Sequence, residues 1–375
     1  MANYYFDNSA TSYPKPPEVA EYINEYLNLG GTYGRSAYDR VVNVSRIVER
    51  ARIMLAGIIG TILTDQLVFT PNATHALNIA LKGFSYRKKR ILISPLEHNA
   101  VTRPVLHLQN TIGLEFDIMP HNPDGLINLD AIGQLDMNSY DLCIVNHVGN
   151  VNGVVQPIAE LKALLGNIPL LVDASQSAGH IPLEVDSWHI DMLALTGHKG
   201  LMGPTGTGCL FIRNPEIVKP LIHGGTGSRS DSFLMPEFLP DRFEAGTPNI
   251  LGIFGLYGAL SASVTCGYKS DHFVDLLESI ERLKSFKVLR AADFKQQASL
   301  FSITSNSFSP SELSDLLFKR YSIEVRSGLH CAPLAHQTLK TFPMGTVRFS
   351  LSKFHNSSDL NYLYDALKEI DHESK

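Results

Sequence analysis

Short apolar runs, each ending in polar or turn-forming residues, alternate with longer helix-like segments along the first half of the chain. The runs that predict strands are Gln66–Thr70, Arg90–Ser94, Leu142–His147, Leu170–Asp173 and Met192–Thr196. This alternation is typical of an α/β fold with a mostly parallel sheet and crossover helices. Because ligands bind outside the carboxyl ends of the strands in such sheets, the polar residues that follow these runs predict a site at that edge.

The pattern of predicted helices and strands changes near residue 260. Amphipathic helices are predicted there at Asp271–Phe286, Pro310–Tyr321 and Ser358–Ile370, and short strands at Leu300–Thr304, Ile323–Arg326 and Thr346–Ser350. The length of 375 residues leaves room for more than one domain. We therefore predict a large domain over residues 1–260 and a smaller α+β domain over residues 261–375. The N-terminal segment, up to about residue 15, is expected to pack on the smaller domain.

Charge and cysteine content exclude several classes of protein. The net charge of −5 gives no polycationic surface for nucleic acid or anionic lipid. The sequence shows neither a signal peptide nor an apolar run of about 20 residues, so we expect a soluble, cytoplasmic protein. The four cysteines form no Cys-x-x-Cys pair, which argues against a zinc ribbon and a disulfide framework. We predict no metal site.

An aspartate and a lysine follow two consecutive predicted strands. Asp173 ends one apolar run, and Lys199 follows the next in the sequence Thr-Gly-His-Lys. A buried carboxylate needs a cationic or hydrogen-bonding partner, and a desolvated lysine has a lowered pKa that makes it a nucleophile. Pyridoxal phosphate requires such a pair, a Schiff-base lysine and a carboxylate for its pyridine nitrogen. The alternative is a capping aspartate and a surface lysine.

Polar residues near other predicted strand ends favour the cofactor interpretation. His98 could stack on a flat ring, and Gln176 lies three residues after Asp173. The helix start at Ala73–Thr74 offers backbone N–H groups and a hydroxyl to a phosphate, and Thr196 and His198 could also donate to it. Each of these residues has an alternative structural role as a turn or cap residue, but their coincidence indicates a site.

Cys331 follows His330 in a loop that contains glycine and proline. A nearby imidazolium would lower the pKa of the thiol, so we expect Cys331 to act as a nucleophile. The other three cysteines, Cys143, Cys209 and Cys266, are interpreted as packing residues. Arg348 interrupts an apolar strand, where it would grip a substrate carboxylate or form an ion pair with one of the protein's own acids.

Several motifs together resemble the class V aminotransferase family of fold-type I pyridoxal-phosphate enzymes. They are Tyr5–Thr11, Asn72–Asn78, Glu97–Asn99, His147–Asn150, Val172–Gln176, Thr196–Gly208, Arg242–Asn249 and Arg326–Pro333. The last two are similar to the group II cysteine desulfurases and selenocysteine lyases. The resemblance implies a large domain with a mostly parallel seven-stranded sheet, a smaller C-terminal domain and a homodimer with shared active sites.

The same resemblance assigns roles to individual residues. Cofactor contacts fall on Ala73, Thr74, His98, Asp173, Gln176, Thr196, His198 and Lys199, while Thr247 reaches the phosphate in the other subunit. By the same resemblance, the substrate would be bound by Asn8, Asn150 and Arg348. Cys331 would take the sulfur of L-cysteine as a persulfide, leaving L-alanine, with His98 as an acid–base group. A sulfur-acceptor protein would then receive the sulfur.

Other activities remain open at this stage. Selenocysteine lyase, cysteine sulfinate desulfinase and other class V lyases or aminotransferases would use a similar site. Asn72-Ala73-Thr74 stands where the family usually has Gly-Thr-Thr, so backbone amides must replace one hydroxyl. A dinucleotide-binding oxidoreductase lacks support, because no G-x-G-x-x-G follows the first strand. A non-enzymatic sulfur carrier would need Cys331 but not Lys199, Asp173 and His98.

Overall fold

Two sheets form the framework of the computed structural model, which describes residues 4–34 and 36–373. The strands of the large sheet are β1 (Leu67–Thr70), β2 (Arg90–Ile93), β3 (Glu115–Ile118), β4 (Leu142–Asn146), β5 (Leu170–Asp173), β6 (Met192–Thr196) and β7 (Gly208–Ile212). Their order is β1-β7-β6-β5-β4-β2-β3. Only β7 runs antiparallel to its neighbours. The predicted mostly parallel seven-stranded sheet is confirmed.

Helices cover both faces of this sheet. They are α1 (Pro17–Leu29), α2 (Asp39–Ile59), α3 (Ala73–Gly83), α4 (Asn99–Ile112), α5 (Leu129–Ile132), α6 (Ile158–Leu165) and α7 (Ile250–Ser261). Within β5, Leu170 and Val172 belong to one apolar cluster and Leu171 to another. Because successive side chains point to opposite faces of a strand, β5 is buried on both sides. This explains why its sequence is a continuous apolar run.

The second sheet is smaller and wholly antiparallel. Its strands are β8 (Phe286–Leu289), β9 (Leu300–Ser305), β10 (Arg326–Gly328) and β11 (Thr346–Ser350), in the order β10-β11-β9-β8. The accompanying helices are α8 (Ser270–Glu281), α9 (Pro310–Tyr321), α10 (Pro333–Thr338) and α11 (Ser357–Glu373). Phe6 is fully buried in the apolar cluster of this half. The N-terminal segment therefore packs on the small sheet, whereas the boundary near residue 260 remains a prediction.

Two predicted elements in this half differ most from their bounds in the structure. The predicted strand Ile323–Arg326 begins too early, because the N–H of Ile323 donates to the Leu317 carbonyl and closes α9. Glu324 forms only an isolated parallel bridge with Tyr5, and β10 begins at Arg326. The predicted helix Asp271–Phe286 ends at Glu281, since Phe286 already belongs to β8. Among the described residues, no helix is both long and apolar enough to cross a membrane.

Candidate active site

A cavity of about 230 Å³ opens at the carboxyl ends of the strands of the large sheet, facing the small sheet. Most of the residues singled out from the sequence line it: Ala73, Thr74, His98, Asn150, Asp173, Gln176, Thr196, His198, Lys199, Cys331 and Arg348. Their convergence follows from topology, because parallel strands place their carboxyl ends at one edge of the sheet. Ser9, Asn146 and Arg326 also line the cavity.

Lys199 lies in the turn after β6 and faces the cavity. Burial lowers the pKa of its ammonium group to about 8, against the opposing attraction of Asp173. Its backbone is held through the preceding residue, since the His198 carbonyl accepts hydrogen bonds from Ser12 N (2.9 Å) and Lys15 Nζ (3.0 Å). A substantial fraction of Lys199 is therefore a neutral amine near pH 8.

Asp173 ends β5 and is 3% exposed. Its Oδ1 accepts hydrogen bonds from the Ser175 N–H, at 2.9 Å, and from the Ser175 hydroxyl. These bonds fix the carboxylate while it lines the cavity beside Lys199. The arrangement presents a fixed negative charge to any ring nitrogen placed against it.

His98 is the N-cap of α4, and this fixes its ring. Its Nδ1 accepts a hydrogen bond from the Ala100 N–H at 3.0 Å, so the neutral ring carries its proton on Nε2. Burial, together with the positive charge of Lys199, lowers the pKa of His98 to about 4. At neutral pH the ring is therefore an uncharged donor that faces the cavity.

Cys331 is exposed at the rim of the cavity. Both His330 and Cys331 have left-handed backbones, with φ of 47° and 55°. The loop is held by two hydrogen bonds to the large-sheet half: Asn150 Nδ2 donates to the His330 carbonyl at 2.9 Å, and Asn99 N donates to the Cys331 carbonyl at 2.8 Å. The loop is thus fixed through its backbone while the thiol stays accessible.

The predicted effect of His330 on the thiol is wrong. The imidazole is buried, and its Nε2 lies 3.0 Å from the Thr346 hydroxyl. Burial lowers the pKa of His330 to about 2, with the positive charge of Arg348 adding to this effect. The ring is therefore neutral at physiological pH and supplies no positive charge to Cys331. Its contact with Thr346 instead anchors the base of the loop.

Arg348 is buried and forms the ion pair that the sequence left as one of two interpretations. Its Nη2 lies 2.7 Å from Asp7 Oδ1, and its Nη1 donates to the Asn150 carbonyl at 3.2 Å. Its Nε is buried without a hydrogen-bond partner among the described residues. The guanidinium thus keeps an unused donor, and burial lowers its pKa against the attraction of Asp7.

One side of the cavity is formed around the start of α3. Asn72 caps this helix by accepting a hydrogen bond from His75 N at 2.9 Å, and Thr74 lines the cavity. His198 Nδ1 is buried and has no partner in the described part of the chain. The Thr196 hydroxyl donates to the Thr207 carbonyl at 3.3 Å, so its proton is already engaged.

Two of the predicted site residues do not line this cavity. Asn8 donates to the Tyr5 and Ser350 carbonyls, at 2.9 and 3.0 Å, and accepts from Tyr13 N at 3.0 Å. These bonds occupy its amide, so it organises the N-terminal segment instead of presenting a donor to the cavity. Thr247 lines a separate cavity of about 270 Å³. Its predicted contact with a second subunit stays a prediction.

Glu97 was not assigned from the sequence, although it directly precedes His98. It is fully buried, and its Oε1 accepts from the Ser94 hydroxyl (2.6 Å) and Asn146 N (2.8 Å). Burial raises its pKa to about 8, and repulsion from Asp173 adds to the rise. The carboxyl group is therefore largely protonated at neutral pH and joins the ends of β2 and β4. An acid next to a buried apolar strand was the available signal.

Comparisons with known proteins show what the whole chain is similar to. The family model described as class-V aminotransferase matches residues 4–363. A probable cysteine desulfurase of Methanothermobacter thermautotrophicus is 30% identical over 380 residues, covering 98% of this chain and 94% of the relative. The apo structure of a cysteine desulfurase from Thermococcus onnurineus superposes with a TM-score of 0.90 at 29% identity, covering 98% of this chain and 94% of the other. The cysteine desulfurase CsdA of Escherichia coli, solved in an S-sulfonic acid form, superposes with a TM-score of 0.86 at 26% identity. The match covers 98% of this chain and 94% of the other.

Proposed function

The chain belongs to the class-V aminotransferase family, and from that premise we propose that it is a pyridoxal-phosphate-dependent cysteine desulfurase. Its reaction converts L-cysteine to L-alanine and leaves the sulfur on Cys331 as a persulfide. The observation that carries the proposal is the single cavity that contains Lys199, Asp173, His98 and Cys331. A lyase or aminotransferase of the same family would not need a thiol at this rim.

The residues at the cavity fit the cofactor. His198 Nδ1 is a buried polar atom without a partner among the described residues, and His198 lines the same cavity as the first residues of α3. Together with the backbone N–H groups of Ala73 and Thr74, it would hold the phosphate. Asp173 would hold the pyridine nitrogen, Gln176 the phenolic oxygen, and His98 would lie against the ring. The amide of Gln176 is oriented by donating to the Ser9 carbonyl at 3.0 Å.

Pyridoxal phosphate, when bound, supplies an electron sink for bonds broken at the substrate α-carbon. The chain's part begins with the Lys199 amine, whose lowered pKa lets it accept the Cα proton near neutral pH. The buried and neutral His98 ring excludes water from one side and offers its Nε2 proton to the cavity. Arg348, which lines the cavity, orients the substrate by its carboxylate.

Cys331 completes the reaction by taking the substrate sulfur. Its thiolate forms the new S–S bond as the Cβ–S bond breaks, and the electron pair of that bond remains with carbon, which is then protonated to alanine. The balance is cysteine plus enzyme thiol giving alanine plus enzyme persulfide. Exposure of Cys331 at the rim lets an acceptor protein reach the persulfide.

The proposal also includes a homodimer and a cytoplasmic location. Thr247 lines a cavity on the surface of this chain together with His75 and Asn249. In a homodimer it would meet the phosphate side of the second subunit's site. A reducing compartment keeps the Cys331 thiol available for each turnover, which supports the cytoplasm.

A turnover assay on the cofactor-loaded protein tests the proposal. Alanine and sulfide are measured with L-cysteine as substrate and a reductant present, for the unmodified protein and for Cys331→Ser. We expect both products from the unmodified protein, and loss of sulfide from a variant that still binds the cofactor. Cys143→Ser is no suitable control because Cys143 is buried, whereas Cys266→Ser changes an exposed thiol and should retain activity. Equal sulfide and alanine production by Cys331→Ser would contradict the proposal.

A further inference from the structure

Two arginines of neighbouring strands share one carboxylate at the edge of the cavity. Arg326 and Arg348 are directly opposite each other in the pairing of β10 with β11, and both line the cavity. Like charges in such a cross-strand position repel each other. Asp7 lies between them: its Oδ1 is 2.7 Å from Arg348 Nη2 and its Oδ2 is 3.0 Å from Arg326 Nε.

The two arginines differ in exposure. The side chain of Arg348 is 3% exposed and that of Arg326 is 47% exposed, while Asp7 is 14% exposed. Arg348 is thus the interior cation that meets the substrate carboxylate in the proposed function. Arg326 lies nearer the rim, and its charge acts on both His330 and Lys199. The substrate's sulfur group must point toward this rim, because Cys331 is there.

The charges of this cluster leave a place for one anion. Two guanidinium groups face one carboxylate, so the surplus is one positive charge, which a single substrate carboxylate neutralises. A substrate with a second acidic group would have to compete for Arg326 with the Asp7 carboxylate, which already lies 3.0 Å from its Nε. The surrounding histidines add no positive charge, since burial lowers the pKa values of His98 and His330 well below neutrality.

We propose that Asp7 is a specificity-determining positioning residue that selects substrates with one carboxylate and an uncharged sulfur group over doubly anionic ones such as cysteine sulfinate. This inference rests on the proposed function, whose chemistry supplies the substrate carboxylate at Arg348. Asp7 acts through the two arginines and has no reacting atom. Its carboxylate holds Arg348 in place to bind the substrate carboxylate. It also pairs with Arg326, so that Arg326 is not free to bind a second acidic group of a substrate.

The test compares cysteine sulfinate with cysteine as substrates of the cofactor-loaded protein, by alanine release. Asp7→Asn should raise the ratio of kcat/KM for cysteine sulfinate to that for cysteine roughly tenfold, the size expected for one charge a few ångströms away in a partly buried site. Asp7→Glu keeps the charge and should restore the ratio. The double variant Asp7→Asn with Arg326→Gln removes one charge of each sign and should bring the ratio back toward that of the unmodified protein.

A binding measurement keeps the inference testable if a variant loses activity. Isothermal titration with propionate and with succinate compares one carboxylate with two, and Asp7→Asn should favour succinate by a similar factor. Asp315→Asn, which removes an exposed charge on α9, serves as the matched control and should leave both Kd values unchanged. An unchanged ratio in Asp7→Asn, or a shift toward the singly charged ligand, would overturn the inference. Failure of the unmodified protein to turn over cysteine would instead reject the proposed function, and the titration would still report on Asp7.

Discussion

One half of the cavity takes its residues from strand ends of the large sheet, whereas the other half takes them from segments that are distant in sequence. Asp173 ends β5, and Lys199 follows the adjacent parallel strand β6. Asp7, Arg326 and Arg348 meet only because the N-terminal segment packs on the small sheet. The order of the parallel strands therefore determines where the first group of cavity residues lies. Packing between segments distant in sequence determines where the second group lies.

This difference predicts unequal effects of substitution. Changes at strand ends should remove chemistry without loosening the fold, because the sheet positions the backbone independently of these side chains. Changes in the second half should alter stability, loop geometry or substrate preference, because there the side chains themselves hold the segments together.

Lys199→Ala should have the largest effect. We expect turnover of cysteine to fall by at least about a thousandfold, since under the proposed function the variant loses both the covalent attachment point of the cofactor and the base for the Cα proton. The thermal midpoint should change little. Alanine production and borohydride trapping of the cofactor measure the two functions, with Lys162→Ala, on α6, as a lysine control away from the cavity. Retained trapping in Lys199→Ala would break the assignment.

Phe6→Ala should be the strongest destabilising change in the second half. Phe6 is fully buried in the apolar cluster of the small sheet, and its ring centroid lies 4.6 Å from that of His355. Truncation leaves a cavity, so we expect the free energy of unfolding to fall by about 3–5 kcal/mol. Urea unfolding measures this loss. Leu27→Ala, at a position that is 65% exposed, should cost much less. Equal costs would show that the N-terminal segment contributes little to the fold.

The titration of Lys199 should differ from that of ordinary lysines in the cofactor-free protein. With a pKa of about 8, its amine is half neutral near pH 8, whereas an ordinary lysine with a pKa of about 10.4 is almost wholly protonated there. Raising the pH through 8 should therefore increase labelling of Lys199 by an amine-reactive reagent well before that of exposed lysines. Peptide mass spectrometry measures the pH at which labelling of Lys199 is half-maximal. A midpoint near that of exposed lysines would contradict the burial of the amine.

His330→Ala should have the smallest effect of the four. The substitution removes the contact of Nε2 with Thr346 that anchors the loop. We expect the rate of sulfur transfer to fall roughly tenfold, which corresponds to the loss of one hydrogen bond, while cofactor binding is unchanged. His330→Gln can replace the lost contact and should restore part of the rate. Kinetics of sulfide release and the alkylation rate of Cys331 distinguish loop positioning from general loss of structure. Identical alkylation rates in all three proteins would refute the anchoring role.

The sequence was informative where a residue's position depends on its own strand. The strands β5, β6 and β11 have the predicted bounds, and the residues that follow β5 and β6 line the cavity. It was less informative for side chains whose partners are hundreds of residues away. Nothing local indicates that Asp7 bridges two arginines, or that the ring of His330 turns inward to Thr346.

The same distinction explains two errors. Asn8 lies in one of the motifs that carry the family resemblance, yet its amide is occupied by backbone groups of Tyr5, Tyr13 and Ser350. His330 is adjacent to Cys331 in sequence, but burial keeps its imidazole neutral. Proximity along the chain did not determine where either side chain points. Glu97 follows a buried apolar run, but its hydrogen-bond partner Asn146 is brought to it only by the pairing of β2 with β4.

Mass spectrometry of the Cys331 peptide after a single addition of L-cysteine tests the central claim most directly. The account predicts that this peptide gains one sulfur atom in step with alanine formation, that reductant reverses the gain, and that Lys199→Ala shows no gain. Alanine formation with an unmodified Cys331 peptide, or a persulfide formed equally in Lys199→Ala, would contradict it.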